Sequence, residues 1–398
     1  MLIFGMGHYM AIRLRTALPA PLLRSVSARA IGETAALYEA GGVDDMATFD
    51  QSLGWFPRAL WKPEYTPWAA LASDQDSFHD WSIATAVAAM ATTKLRIVCE
   101  GTDSIRNGPG ELLIKLLSLL DLSDGRVVCG IGTGELKQVK PFGYLRKEGL
   151  ARLDDLLRII ALLLDCDGPI SYEGHHWNLK NAYVGTVRKH RPEFWIMGNG
   201  PTTKTISAQL ANGIVGVAPM GAARPERWAE QVESLTKEIV ANDRDPDAFT
   251  FGLAFQVLCS DDPNIIENAI NSPLMRFHTS IGGRSRQADW RDEGLEPIMP
   301  ENYHYALHYL PQEQTEEGVH ELIAKVPRKM VEKTYIIGNP EECAAQIAQY
   351  VDAGCNWLSI WNLLPYTLDP EAAQAHLALD IELCNRIKAL ADSTAIPV

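Results

Sequence analysis

Eight short apolar runs, each followed by a stretch of helical periodicity, constrain this chain more than any other feature. The runs fall at 2–9, 43–50, 94–100, 126–131, 193–198, 213–219, 249–259 and 356–361. Each has strand length, and several carry β-branched or aromatic residues, as in "KLRIVCE" and "EFWIMG". Helical patterns lie between them, at about 25–40, 81–92, 111–123, 152–165, 202–211, 225–241, 339–354 and 370–391. Gly41-Gly42 stops the first of these, and Asn339 with Pro340 opens the seventh. Strand–helix alternation is the cadence of a parallel sheet. Eight units without a linker or a low-complexity segment predict an α/β fold, a single (β/α)8 TIM barrel across residues 1–398. An open doubly wound sheet is the competing arrangement. Two segments interrupt the cadence. Residues 168–192 read as a hairpin-like insertion. Residues 273–330 read as an irregular insertion, rich in Pro, His, Arg and aromatics; connections of that length carry function or small helices of their own.

Composition narrows the partners. The net charge of −14 argues against nucleic acid and against anionic membrane surfaces. Seven cysteines are scattered with no C-x-x-C pair, as expected for a reducing cytoplasm. The stretch "RLRTALPAPLLRSVSARA" has some character of a signal peptide, but Arg24 interrupts its apolar part and a strand-like run precedes it, so a cytoplasmic protein is expected. No apolar run reaches membrane-spanning length. Walker-type, H-E-x-x-H, G-x-S-x-G and EF-hand patterns are absent, so zinc and serine-hydrolase chemistry lose their usual anchors.

In a (β/α) barrel, chemistry gathers at the C-terminal ends of the strands. "GRVVCGIGTGELKQ" places Glu135 just past such an end, after Gly132-Thr133-Gly134. His8 closes the first run; Asp50, Gln51 and Trp55 follow the second; Glu100 to Asp103 follow the third; Gly198-Asn199-Gly200 follow the fifth. Plainer readings stand beside these. Glu135 reads equally as a solvated loop acid, His8 as a core histidine and Asp50 as a turn cap. Trp61 and Trp68 read as seals of the barrel top. The glycine turn at 198–200 is either a plain turn or a phosphate cradle at a helix N-terminus. His175-His176 reads as a surface pair, because neighbours in an extended segment point opposite ways.

Taken together, these segments resemble the bacterial luciferase-like superfamily, in its branch that uses the deazaflavin coenzyme F420. The resemblance rests on "FDQSLGW", "SDGRVVCGIGTGE", "ARLDDLLRIIALLLDCDGPISYEGHHWNLKNA", "IMGNGPTTKTISAQLANGIVG" and "IIGNPEECAAQIAQYVDAGCNWLSIW", and it runs through most of the chain. "YTPWAAL" and "KVPRKMVEKTYIIGNPEE" are more loosely similar to the phthiodiolone dimycocerosate ketoreductase group. The F420-dependent sugar-phosphate dehydrogenases of the branch carry Asp-His and then a Trp four residues after the His. Asp50 and Trp55 match that pattern, but Gln51 replaces the histidine. The resemblance puts the family's catalytic Glu on Glu135 and its cofactor-contacting Asn on Gln138. It puts the glycine-rich turn on Gly198, Asn199 and Gly200, and a non-prolyl cis peptide near Glu100-Gly101.

The resemblance therefore implies coenzyme F420, with FMN as the alternative cofactor, a small-molecule substrate and a homodimer. The implied reaction is hydride transfer between deazaflavin C5 and a carbonyl or alcohol, the substrate being a large apolar ketone. Glu135, Trp55 and Gln51 are the expected catalytic residues. Asp50, Glu100, Gly101, Gln138 and the 198–200 turn are expected at the cofactor. Glutamine cannot titrate near neutral pH, so the acid role shifts to Glu135, its pKa raised by burial. Lys137, Lys140, Arg146 and Lys147 are candidates for the anionic cofactor tail. Phe277, Trp290, Tyr303, Tyr305 and Tyr309 are expected to line either the substrate or a dimer contact. An FMN-dependent monooxygenase of the same superfamily and a non-catalytic binding barrel remain as alternatives.

Overall fold

The computed structural model describes residues 13–185 and 187–394. Eight parallel strands close into a barrel: β1 (Arg15–Pro19), β2 (Asp45–Thr48), β3 (Arg96–Asp103), β4 (Val127–Gly132), β5 (Glu193–Met197), β6 (Gly213–Ala218), β7 (Thr250–Cys259) and β8 (Trp357–Asn362). Closure comes from β8 pairing with β1, Arg15 opposite Trp357, and with β7, Trp357 opposite Gly252. The expected first strand at 2–9, and His8 with it, lie outside the described residues. The barrel's first strand is instead Arg15–Pro19, inside the stretch weighed above as a signal peptide. Its burial explains the correction: Ala17 and Leu18 are buried, one toward the lumen and one toward the helices.

Alternation along the strands builds two layers. Leu18, Met46, Ile97, Cys99, Ile131 and Phe255 face outward and pack against the surrounding helices. Ala17, Val98, Val128, Trp195, Val215 and Trp357 face inward and fill the lower lumen, with Trp195 and Trp357 edge to face at 5.0 Å. Beneath this layer, Asp45 is fully buried and accepts from Arg15, from Arg96 at 2.8 Å and from Trp357 at 2.7 Å, so one carboxylate fastens β1, β2, β3 and β8.

Helices follow the strands much as their periodicity predicts, among them α1 (Ala28–Ala40), α2 (Trp81–Ala91), α3 (Pro109–Ser123) and α4 (Gly149–Asp165). The 168–192 insertion is an antiparallel hairpin, Ile170–Glu173 with Asn178–Ala182. Asp155 of α4 organises its turn by accepting from the backbone N–H groups of His175, His176 and Trp177.

The 273–330 insertion is a correction. It is not irregular but carries α5 (Pro273–Gly282), α6 (Ala288–Asp292), α7 (Tyr305–His308) and α8 (Glu316–Lys325). Phe277, Trp290, Tyr303 and Tyr309 are buried in a second apolar cluster that joins this insertion to Phe56, Leu60 and Trp61 of the loop after β2. They are therefore the core of a cap over the C-terminal barrel end. Short helices that pack on one another show little periodicity of their own, so local sequence hides them.

Candidate active site

The two glycines before Glu135 turn the chain. Gly134 has φ +84°, a conformation that strains any side chain, and it breaks the direction of β4 at the barrel rim. Glu135 then sits at the N-cap position of the short helix Leu136–Val139, but its side chain makes no cap bond. It faces the cap of the barrel instead. Oε1 accepts from Tyr305 Oη at 2.8 Å, and Oε2 pairs with Lys137 Nζ at 3.1 Å.

Lys137 is 1% exposed, donates to Leu53 O at 2.9 Å and lies 5.4 Å from the Trp55 ring. It therefore points inward and is no contact for a solvent-borne anionic tail. Tyr305 stacks on Trp55 at 4.9 Å, and Tyr309 donates to Trp55 O at 2.7 Å. His278 also packs against Trp55 at 5.3 Å, with Nδ1 2.7 Å from Tyr335 Oη. Burial pushes the His278 imidazole down to about 4, so it is neutral at physiological pH.

This arrangement corrects the acid role. Burial works against charge on Glu135, but Lys137 and the Tyr305 hydroxyl outweigh it, and the carboxyl titrates below its ordinary range. Glu135 is a carboxylate at neutral pH. Burial, then the Glu135 charge, hold the Tyr305 phenol well above its ordinary range, so it keeps its proton.

The other expected residues divide into groups. Gln138 is buried; it accepts from the Ser52 and Leu53 N–H groups and donates to Leu53 O, so its amide clamps the loop after β2. Asp50 accepts from Thr102 at 2.5 Å and from Arg106 at 3.1 Å, and Arg106 also binds Asp103 at 2.5 Å. Burial, against Arg106, pushes the Asp50 carboxyl up. The Gln51 side chain, half-buried, makes no hydrogen bond among the described residues.

The Glu100–Gly101 peptide is cis, where the resemblance places such a bond. Glycine is required beside it: a Cβ on Gly101 would lie 2.6 Å from Met197 Cγ, and one on Gly130 would lie 2.3 Å from Cys99 O. Gly198, Asn199 and Gly200 open the helix Pro201–Leu210, and the Asn199 amide lies against β6, 2.4 Å from where a Cβ on Gly216 would be. Among the described residues, no side-chain hydrogen bond joins that turn to the group around Glu135. Asn199 instead borders a small void of about 10 Å³ with Trp228, Gln231 and Phe251, behind β6.

Of the remaining cations, Lys140 is exposed and pairs with Glu313, Lys147 is exposed, and Arg146 donates to Thr133 at 2.9 Å. Trp61 and Trp68 donate to Ala72 O and Pro365 O, which fixes the cap loops. A polar cavity of about 440 Å³ opens at the opposite end of the barrel, lined by Arg15, Arg96, Arg191, Glu193 and Asn212. Its arginines are already paired, with Asp45 and Asp165. Gln256, Ser359 and Trp361 escaped the sequence reading although they face the lumen. One signal was legible: Gln256 is the only amide in the ten-residue buried strand β7.

A closed barrel with ionised, aromatic and amide groups converging on its C-terminal rim is the arrangement of a (β/α)8-barrel enzyme. The chain matches the family model for luciferase-like monooxygenases over residues 6–356. It belongs to that family, and with it to the oxidoreductases. Among curated proteins it is similar to the phthiodiolone/phenolphthiodiolone dimycocerosates ketoreductase of Mycobacterium kansasii, 26% identical over 81% of this chain and 87% of that protein. It is also similar to the F420-dependent glucose-6-phosphate dehydrogenase of Mycolicibacterium smegmatis, 24% identical over 83% of this chain and 87% of that protein. Among solved structures, an F420-dependent secondary alcohol dehydrogenase in complex with an F420-acetone adduct superposes with a TM-score of 0.69 at 16% identity, covering 94% of this chain and 99% of that one. The oxygenating constituent of 3,6-diketocamphane monooxygenase from Pseudomonas putida, in complex with FMN, superposes at 0.62 with 14% identity, covering 95% and 98%. At those identities the structural likeness speaks to the fold. Among the described residues, no helix is long and apolar enough to cross a membrane.

Proposed function

We propose that this chain is an F420-dependent oxidoreductase that moves a hydride between deazaflavin C5 and a carbonyl or alcohol, with a large apolar ketone as the substrate class. The observation that carries the reading is the rim group itself. One carboxylate, Glu135, holds two hydrogen-bond donors, Lys137 and Tyr305, against the face of Trp55. The residues present fit a tricyclic ring with carbonyl and N–H edges at Glu100, whose Oε1 is buried in the lumen without a partner. Glu100, Gly101 and the 198–200 turn are the residues assigned to hold it. When bound and reduced, such a ring supplies a hydride. The similarity to a ketoreductase and to an F420-dependent dehydrogenase favours F420 over FMN and a carbonyl over dioxygen.

The chain's own residues then have distinct tasks. A carbonyl that accepts hydride develops negative charge on oxygen, which donors stabilise. The Lys137 ammonium, with one N–H left beside those on Glu135 and Leu53 O, is such a donor and passes a proton to the oxygen. Glu135, itself held by the Tyr305 hydroxyl, orients it. Trp55, packed against Tyr305 and His278, walls the reacting face and excludes water. The Asp50–Arg106–Asp103 pairing and the Gln138 clamp fix the loop that presents Trp55.

Binding separates the readings. Protein fluorescence is titrated with F420 and with FMN, and turnover is then compared with and without oxygen. Binding of F420 with oxygen-independent ketone reduction is the expected result. Binding of FMN with oxygen-dependent turnover would replace this proposal with a monooxygenase.

A further inference from the structure

Above its apolar layer the barrel lumen turns polar. Val98 and Trp357 face inward, so the next inward residues are Glu100 on β3, and Ser359 and Trp361 on β8. On β7, Phe255 and Val257 face outward, so Gln256 faces in, opposite Trp361 in the ladder. Although β1 and β2 lie between β3 and β8, Trp361 Nε1 reaches Glu100 Oε2 at 3.4 Å, a contact across the lumen. Glu100, Gln256 and Ser359 are 5%, 0% and 0% exposed. Yet Glu100 Oε1, Ser359 Oγ and both amide atoms of Gln256 fall outside hydrogen-bonding geometry with any partner, the Ser359 hydroxyl being near enough to Glu100 only to act on its charge. Buried polar atoms are normally matched, and four unmatched ones on three strands of one lumen are the mark of a place completed by something else.

We propose that Glu100, Gln256 and Ser359 form a hydrogen-bonding floor that receives an uncharged carbonyl group of a molecule entering the barrel mouth. The inference rests on the oxidoreductase reading above and deepens it. Charge selects the ligand class. At the rim Asp50 and Asp103 pair with Arg106 and Glu135 pairs with Lys137, while Arg146 donates to Thr133 of the loop after β4 and not to the floor. Only the uncharged Ser359 and Trp361 oppose burial in setting the state of Glu100. An anion would therefore find no free cation at the floor, whereas a carboxamide and a protonated carboxyl each offer a donor beside an acceptor. Burial raises the Glu100 carboxyl to about 8, so it is a donor at neutral pH and loses that role as pH rises through that value. The carbonyl has two sources, the redox ring or the ketone substrate, and the test separates them.

The full chain is titrated calorimetrically with F420, with FMN, and then with cyclohexanone in the presence of whichever binds. Glu100→Met removes the donor, Glu100→Gln keeps a neutral one, and Gln256→Met probes the floor independently; thermal melts monitor folding. Glu100→Met and Gln256→Met are each expected to weaken one step about tenfold, and Glu100→Gln by less than about threefold. In the wild type the same step weakens above pH 8, and in Glu100→Gln it does not. Loss confined to the first step identifies the ring carbonyl, and loss confined to the second identifies the ketone. The floor is refuted if folded Glu100→Met binds at both steps like the wild type, or if the wild type binds none of the three molecules. Binding of FMN in place of F420 would defeat the F420 reading, and the same variants would still decide the floor.

Discussion

At the scale of single residues, Glu135 is an organiser, and that role differs measurably from an acid's. Glu135→Gln removes the charge that holds Lys137 and Tyr305, so kcat is expected to fall on the order of 10²-fold while the fold persists. Steady-state kinetics beside a circular dichroism spectrum checks this. The pH dependence follows from the direction of the shift. The folded carboxyl titrates below 4.5, so what it contributes is present above that value and is lost only as pH falls further. Tyr305→Phe removes one of the groups holding it down, so the acid limb of the kcat profile moves to higher pH. Trp55 keeps its aromatic neighbour in that variant, which limits the effect on stability. An unchanged limb would mean that the Tyr305 hydroxyl does not set the state of Glu135.

At the scale of elements, the hairpin insertion depends on one acid from another element. Asp155 accepts three backbone N–H bonds from the hairpin turn and one from Tyr172 at 3.0 Å. Burial opposes its charge, but those donors outweigh it and lower the carboxyl. Its contribution is present above the ordinary value of 3.8 and fades as pH falls through the lower folded value. Asp155→Ala leaves those donors unmatched, at a cost of about 2–3 kcal/mol. Faster hydrogen exchange at His176 and Trp177, together with cleavage inside 168–192, would register the loss. Equal protection in variant and wild type would show the turn to be self-supporting.

At the scale of the whole molecule, barrel closure converges on Asp45. It is buried and paired with the half-buried Arg15 and Arg96, and both guanidinium groups outweigh the effect of burial on its carboxyl. Asp45→Ala leaves two partly buried cations without their partner, an expected loss of about 3–5 kcal/mol in unfolding free energy. Denaturant midpoints measure it, and a shift of a few tenths of that size would mean that the strands register without the carboxylate. The polar cavity at this end is part of the same fastening, because Arg15 and Arg96, which bind Asp45, line it.

Much of this architecture was readable in the chain itself. Strand length, helical period and glycine or proline stops are local properties, so seven of the barrel strands and the helices between them follow from them. The rim positions of Asp50, Trp55 and Glu135 follow too, because a strand's C-terminal end is a local feature, whereas Glu100, read as following the third strand, lies within β3 and faces the lumen. What the chain could not show is which partners those side chains meet. Lys137 reads as a loop cation, but it is buried by Leu53, Glu135 and Trp55, which come from two different loops. Tyr305 lies 170 residues from the carboxylate it binds. The charge state of Glu135, the core role of Phe277 and Trp290, and the polar lumen around Glu100 all depend on distances between segments remote in sequence. Only tertiary packing sets those distances, because burial and Coulomb interaction act through space rather than along the chain.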